Sequence, residues 1–235
     1  MHASEATAPA KLWPELRYRA GDRILAQGDR TSSLFLVRRG VVRLSSVSRD
    51  GKEAILAFVG PGGVFGESAF CPGERDVSAA TSVCRSDRDP PATAHARHGD
   101  HDAPAATAQT DCAISPVPVE ALLGHGAVSS ILVGLAERVA DATADLERLL
   151  HHDVRARVAG AVARLADRYG KERDGRIMVE LALTQRELAS MVGSTRESVS
   201  RSLSTLAACG WLRTQPGALE VVHLEAVRRV ARDSA

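Results

Sequence analysis

The chain has 235 residues, of which 44% are hydrophobic and 25% charged, and its formal net charge is +1. The length favours two domains, and the composition is typical of a globular protein rather than of a disordered or fibrous one. Because the total charge is close to zero, only local patches of charge can indicate a nucleic-acid partner.

Targeting and redox features are few. No apolar run approaches the ~20 residues that a membrane span needs, and the N-terminal residues contain no apolar secretory segment. The cysteines are never spaced as C-x-x-C, which argues against a zinc knuckle or a thioredoxin-type site. We therefore expect a cytoplasmic protein with reduced thiols and no membrane partner.

Residues 1–15 are predicted to form a flexible tail, and residues 16–123 a β-roll. Short apolar runs recur in the second range between turn residues, which is typical of a sandwich or roll of strands. Asp50 and Gly51 lie between two of these runs, and this pair is a strong hairpin signal.

A polar segment rich in residues that break regular structure interrupts the roll at residues 82–107. It cannot bury enough apolar surface to offset the entropy of ordering it, so we predict a disordered insertion. The triplet Ala-Ala-Thr stands before the insertion at 79–81 and again at its end, at 105–107. Once the insertion is removed, the flanking sequences read as one continuous strand.

Residues 124–152 are predicted to form a long dimerisation helix. Apolar residues alternate along it in steps of four and three, which is the a/d pattern of a two-helix coiled coil. Packing of the same stripe against the chain's own roll is the alternative. The stripe consists of Val128, Leu132, Leu135, Val139, Ala142, Leu146 and Leu149.

Residues 153–235 are predicted to form a winged helix-turn-helix domain. Two capping boxes follow each other closely, Thr184 with Glu187 and Ser194 with Glu197, and a glycine separates the two helices that they open. Two short strands and a final helix complete the domain. The fold class is thus α+β, with an N-terminal double-stranded β-roll, a long dimerisation helix and a C-terminal winged helix-turn-helix.

The second helix of this domain carries the predicted DNA-reading residues, because in such a unit it enters the major groove with its N-terminus first. Arg196, Glu197 and Arg201 lie in its first two turns. Arg pairs with guanine, and Glu accepts a hydrogen bond from cytosine. A solvated helix face would explain these charges but not the preceding helix, the glycine turn and the wing. The predicted flanking DNA contacts are Thr184, Gln185, Arg186, Thr195, Ser198 and Ser200.

These features together resemble the CRP/FNR family of bacterial transcription regulators. The stretch "LTQRELASMVGSTRESVSRSLSTL" resembles the DNA-binding signature of the family, and "LFLVRRGVVRL" and "PGGVFGES" resemble its cyclic-nucleotide-type roll. The resemblance implies a homodimer that binds a palindromic site in double-stranded DNA, with one recognition helix per half-site and Arg196, Glu197 and Arg201 as base readers. Family members typically recruit or block RNA polymerase, which is therefore an expected partner.

The resemblance also predicts an effector site, with a cyclic nucleotide as the candidate cofactor. In nucleotide-binding members an Arg and backbone amides hold the phosphate, and a Glu accepts from the ribose. Here the candidate Arg75 comes one residue early, and the carboxylate of Asp76 beside it would repel a phosphate. An effector-independent or differently liganded regulator therefore fits the sequence as well as a nucleotide-binding one. The candidate effector-binding residues are Gly66, Glu67, Ser68, Arg75 and, on the long helix, Thr143.

Two other functions stay open. His95, His98 and His101, with Cys84 and Asp102, are ligand types suited to zinc, copper or nickel, which would make the protein a metal- or redox-responsive regulator. A disordered loop explains the same residues, and we assign no metal site. A cyclic-nucleotide module that acts on a protein partner is the third hypothesis. The chain has no P-loop, H-E-x-x-H or G-x-S-x-G motif, so an enzyme is not predicted.

Overall fold

The structure is a computed structural model that describes residues 13–29, 31–67, 103–118 and 128–232. These residues form a roll of antiparallel strands, a long helix, and a helical unit with a sheet of its own. The arrangement confirms the predicted α+β fold. None of the helices in these ranges is both long and apolar enough to cross a bilayer.

Within the described residues the roll has two four-stranded antiparallel sheets. Its strands are β1 (Leu16–Tyr18), β2 (Arg23–Leu25), β3 (Ser33–Arg39), β4 (Val42–Val47), β5 (Glu53–Val59), β6 (Val64–Phe65), β7 (Ala105–Ala108) and β8 (Cys112–Pro118). One sheet has the order β1-β8-β3-β6 and the other the order β2-β7-β4-β5. Alternate residues of these strands point inward, and Val37, Val42 and Ile114 are fully buried in the resulting core.

Glycines make the tight turns of the roll. Gly40, between β3 and β4, has a φ of +78°, and a Cβ atom there would lie 2.3 Å from the carbonyl oxygen of Asp111. Only glycine fits this close approach of two backbone segments. The predicted hairpin at Asp50 and Gly51 is confirmed, since it joins β4 to β5 and the Gly51 amide donates to the carbonyl of Ser48 at 2.9 Å.

Strand β7 corrects the predicted insertion. Ala105–Ala108 pair with both β2 and β4, and Ala106 is fully buried, so the insertion does not extend to Thr107. Strands β7 and β8 are also separate strands and not one continuous strand. A triplet of small residues carries no strand signal of its own, because strand preference depends on the neighbours that it packs against. Residues 68–102, which hold the rest of the predicted insertion, lie outside the described residues, as does most of the predicted tail.

Helix α1 (Val128–His151) follows the roll. Four residues of its predicted heptad stripe are exposed in the described chain. For these four residues the alternative prediction, in which the stripe packs against the roll, is wrong. The exposed fractions are 60% for Leu132, 67% for Val139, 56% for Leu146 and 47% for Leu149.

The C-terminal unit contains four helices and a four-stranded sheet. Its elements are α2 (Val154–Tyr169), β9 (Gly170–Arg173), β10 (Arg176–Val179), α3 (Gln185–Val192), α4 (Arg196–Ala208), β11 (Leu212–Gln215), β12 (Ala218–Val221) and α5 (Leu224–Arg232). The sheet has the order β11-β12-β10-β9. Strands β11 and β12 form the predicted wing, and α3 and α4 form the predicted helix-turn-helix.

One hydrophobic core joins the C-terminal unit to the roll. Val158, Ala159 and Val162 of α2 are fully buried at its centre, and their small side chains let the neighbouring helices approach closely. Ile55 and Phe58 of β5 belong to the same core. The C-terminal unit therefore rests on one edge of the roll.

Candidate DNA-binding surface and effector pocket

Helix α3 begins at a complete capping box. The hydroxyl of Thr184 accepts from the Glu187 amide at 3.1 Å, and Oε2 of Glu187 accepts from the Thr184 amide at 2.8 Å. Each side chain thereby satisfies a backbone donor that the start of a helix leaves free. The sequence prediction of this box is confirmed.

The second predicted capping box is wrong by one residue. Gly193 ends α3 with a φ of 59°, and the Ser194 amide donates back into the last turn of α3 at 3.0 Å. Because Ser194 closes α3, the cap of α4 passes to Thr195, whose hydroxyl accepts from the Ser198 amide at 3.2 Å. Glu197 lies in the first turn of α4, where its negative charge favours the helix N-terminus.

Helix α4 has one buried face and one exposed face. The buried face consists of Val199, Leu203 and Leu206, which are 0%, 3% and 1% exposed. The exposed face carries the predicted base readers Arg196, Glu197 and Arg201. Since the apolar face is fixed in the core, the long charged side chains are held on the surface of a well-anchored helix.

The other predicted DNA contacts lie in the first turns of α3 and α4. Arg186 is exposed and Gln185 half-buried at the start of α3. The hydroxyls of Thr184 and Thr195 serve as helix caps, and Thr195 also donates to the Ser198 hydroxyl at 3.1 Å. Ser200 is half-buried on α4. The two helix starts thus present several polar groups, some of which already have partners within the protein.

The wing sheet holds a network that sequence reasoning missed. Glu220 of β12 is nearly buried, and Arg176 donates to it at 2.7 Å and Gln215 at 3.0 Å. The hydrogen bond from Arg176 is the main cause of the lowered pKa of the Glu220 carboxyl. Arg213 lies 3.8 Å from the same carboxyl and is 60% exposed. The only sequence signal is the position of Glu220 between Leu219 and Val221 in an alternating strand.

Part of the candidate effector pocket lies within the described residues. Gly66 has a φ of +92° directly after β6, and Glu67 forms an ion pair with Arg138 of α1. Arg138 also donates to the carbonyl of Val64 at 3.2 Å. Thr143 is exposed on α1, and its hydroxyl donates to the helix's own backbone at 2.9 Å. The predicted ribose ligand, Glu67, is therefore already paired with a cation of the long helix.

Arg138 is the pocket residue that sequence reasoning missed. Burial lowers the pKa of its guanidinium, which nevertheless stays charged because the unperturbed value is very high. It lies on the side of α1 that faces the roll, since its contacts are with Glu67 and Val64. A lone arginine among heptad positions is usually a solvated residue, so no sequence pattern singles out Arg138.

Ser68 and Arg75 lie outside the described residues, as do the histidines of the insertion with Cys84 and Asp102. Within the described ranges, no three His, Cys, Asp or Glu side chains come together in a way that could hold a metal ion.

Two family models match the chain. The cyclic nucleotide-binding domain matches residues 15–87, and the Crp-like helix-turn-helix domain matches residues 156–230. The first match covers much of the roll, and the second covers the helices, turn and wing described above.

Known proteins are similar along nearly the whole chain. A CRP-like cAMP-activated global transcriptional regulator of Mycobacterium tuberculosis is 30% identical over 232 residues, covering 97% of this chain and 94% of that protein. The cyclic AMP receptor protein of Thermus thermophilus is 33% identical over 217 residues, covering 91% and 86%. A solved CRP/FNR-family transcriptional regulator, also from Thermus thermophilus, is 26% identical, with a TM-score of 0.71 and coverage of 94% and 100%.

The shifted cap gives a stability prediction. Thr195→Ala should lower the free energy of unfolding by about 0.5–2 kcal/mol, because it removes the only side-chain oxygen that accepts from the first turn of α4 in the described structure. Ser194→Ala is the matched control and should change it by less than about 0.5 kcal/mol. Urea unfolding of both variants measures the free energy of unfolding. A larger decrease for Ser194→Ala than for Thr195→Ala would show that Ser194 is the cap, as the sequence predicted.

Proposed function

The chain belongs to the CRP/FNR family of transcription regulators, and we propose that it binds a palindromic DNA site as a homodimer, with one α4 helix in each half-site. It is a DNA-binding transcription regulator. The observation that carries the proposal is the exposed charged face of α4, opposite a face that is fully anchored in the core.

The contacts to DNA divide into two classes. Arg196, Glu197 and Arg201 have the length and chemistry to reach base edges in the major groove, so they supply sequence specificity. Arg186 and Gln185, at the start of α3, are suited to phosphates, which fix the position of the protein on the duplex. Thr195 uses its hydroxyl hydrogen on Ser198 and mainly holds α4 in shape, whereas the hydroxyl of Ser198 accepts that bond and keeps its own hydrogen to donate to a phosphate.

Helix α1 supports the homodimer. Leu132, Val139 and Leu146 repeat every seven residues and are more than half exposed, although large apolar side chains gain ~1.5–3 kcal/mol each when they are buried. A second copy of the same helix covers such a stripe symmetrically. Pairing the two helices also sets the distance between the two α4 helices, and DNA half-sites must recur about one helical turn apart to match it.

The effector site is degenerate in our proposal. Glu67 is neutralised by Arg138, which links the roll to α1 without a ligand. Asp76 adds a negative charge directly after the candidate phosphate ligand Arg75. The relatives with cAMP in their names support the opposite proposal, that this chain binds a cyclic nucleotide. A direct measurement of nucleotide binding distinguishes the two proposals.

The remaining assignments follow from the DNA partner. Like its relatives, which are transcription regulators, the protein changes transcription by recruiting or blocking RNA polymerase rather than by an enzymatic activity of its own. A regulator of this kind acts in the cytoplasm, where bacterial DNA and polymerase are found.

Arg196→Ala should weaken binding to a selected operator by about 1–3 kcal/mol, roughly 5- to 150-fold, and relax specificity at one base pair of each half-site. Arg229→Ala removes the same charge from an exposed position on α5 and is the matched control. Fluorescence anisotropy with the operator and with single-base variants measures both effects. Equal affinities for Arg196→Ala and the wild type would show that another surface reads the bases.

Leu146→Glu should convert the dimer into a monomer at micromolar concentration, because it places two carboxylates opposite each other in the helix pair. Val47→Glu, at a position on β4 that is 46% exposed, is the matched control and should stay dimeric. Light scattering after size exclusion gives the mass. A dimeric Leu146→Glu protein, or a monomeric wild type, would contradict the proposed assembly.

Calorimetric titration of the dimer with cyclic AMP and cyclic GMP should give no saturable heat up to about 1 mM ligand, which corresponds to a binding free energy weaker than ~4 kcal/mol. A micromolar Kd that disappears in Glu67→Gln would overturn the proposed degeneracy and place the protein with its cAMP-responsive relatives.

A further inference from the structure

The roll and the helix-turn-helix meet at an ion pair. Arg43, the second residue of β4, forms an ion pair with Oε1 of Glu187 in α3, and its guanidinium also lies 3.6 Å from a carboxylate oxygen of Glu53 on β5. The side chains of Arg43 and Glu187 are each only 17% exposed. An ion pair shielded to this degree is screened by salt far less than one on the surface.

Glu187 connects this ion pair to the start of α3. While Oε1 contacts Arg43, Oε2 accepts from both the amide and the hydroxyl of Thr184, at 2.8 and 2.9 Å. One carboxylate therefore closes the helix cap and holds the helix on the roll at the same time. Because the two oxygens have different partners, neither role requires the other to be given up.

Further contacts surround the ion pair. The side-chain amide of Gln109, after β7, donates to the carbonyl of Leu181 at 2.9 Å. The hydroxyl of Tyr169, at the end of α2, donates to the carbonyl of Phe58 at 2.9 Å, and burial raises the pKa of this tyrosine to about 12. Met191 of α3 packs on the shared core that includes Phe58.

This contact gives the DNA-binding unit a charged attachment to the roll beside the shared apolar core. The covalent connection lies at His152 and Asp153, between α1 and α2, and a short link of this kind alone leaves rotation free. With α3 also held on β4 and β5, the orientation of the unit is fixed.

The docked arrangement is compatible with DNA binding. The roll contacts α3 through Glu187, whereas Arg186 on α3 and Arg196 and Arg201 on α4 remain exposed. The contact therefore does not cover the surface that meets DNA. Fixing the unit in this orientation reduces the conformational freedom that would otherwise be lost on binding.

We propose that Arg43 is a positioning residue for DNA recognition, which preorganises the helix-turn-helix by holding Glu187 on the roll and does not itself touch DNA. The inference rests on the proposed function. It assigns to the roll a direct mechanical role in operator affinity that is independent of any ligand in the effector pocket. Changes in the roll that displace β4 would reach α3 through this ion pair as well as through the shared apolar core.

The experiment compares Arg43→Met with Arg39→Met. Arg39 lies on β3 of the same roll, is 68% exposed and pairs only with Glu15 among the described contacts, so it controls for the loss of one positive charge. The operator is selected by the wild-type protein from a random-sequence duplex pool, and affinity is measured by anisotropy at several salt concentrations. Arg43→Met should bind about tenfold more weakly, and Arg39→Met should bind as the wild type does.

The salt dependence separates positioning from direct contact. If Arg43 touched a phosphate, its loss would reduce the slope of log Kd against log salt by about 1, whereas a positioning residue leaves the slope unchanged. Glu187→Gln keeps a side chain that can close the capping box but removes its charge, and it should match Arg43→Met. The double variant should lose no more than either single variant, and Arg43→Lys should recover part of the loss.

Amide hydrogen exchange without DNA supplies a second measurement. In Arg43→Met the amides of α3 should exchange faster while those of β3 stay unchanged. Affinity equal to or tighter than that of the wild type, a reduced salt slope, or unchanged exchange in α3 would each overturn the proposal. Failure of the wild type to select any operator would instead count against the proposed function, and the exchange data would still decide whether Arg43 holds α3.

Discussion

The packing of helix α2 is the constraint on which the DNA-binding half depends. Val158, Ala159, Ala161 and Val162 are completely buried, so almost every turn of the helix is enclosed by other elements. Two of these residues are alanines, which let helix backbones approach closely without leaving voids. Around this centre α3, α4, α5 and strand β10 are arranged, and the position of the DNA-reading helix is a consequence of that packing.

The same core reaches into the roll, and this continuity gives the ion pair between Arg43 and Glu187 its significance. Ile55 and Phe58 bring apolar surface of β5 under the C-terminal unit, which excludes water around the two charged groups. A salt bridge on an open surface would be worth little. In this shielded place, with the remaining oxygen of Glu187 bound to the cap of α3, it can fix an orientation.

Charge in this protein acts locally. The net charge of +1 conceals an α4 surface with Arg196 and Arg201, a wing with arginines around Glu220, and a pocket in which Arg138 meets Glu67. The role of each of these charged side chains depends on the residues around it and not on its residue type alone. This is why total charge carried almost no information about function, whereas short motifs carried a great deal.

The sequence by itself determined the elements whose signals are local: the order of roll, long helix and winged unit, the cap at Thr184, the wing, and the exposed charged face of α4. Periodicity and capping depend on residues a few positions apart, so they can be read along the chain. The cap at Thr195, the strand at Ala105–Ala108, and the pairs that join Glu67 to Arg138 and Arg43 to Glu187 were decided only by the tertiary structure. The strand and the two ion pairs need partners that are distant in sequence, and only tertiary packing brings such partners together. The cap at Thr195 depends on how the preceding helix ends.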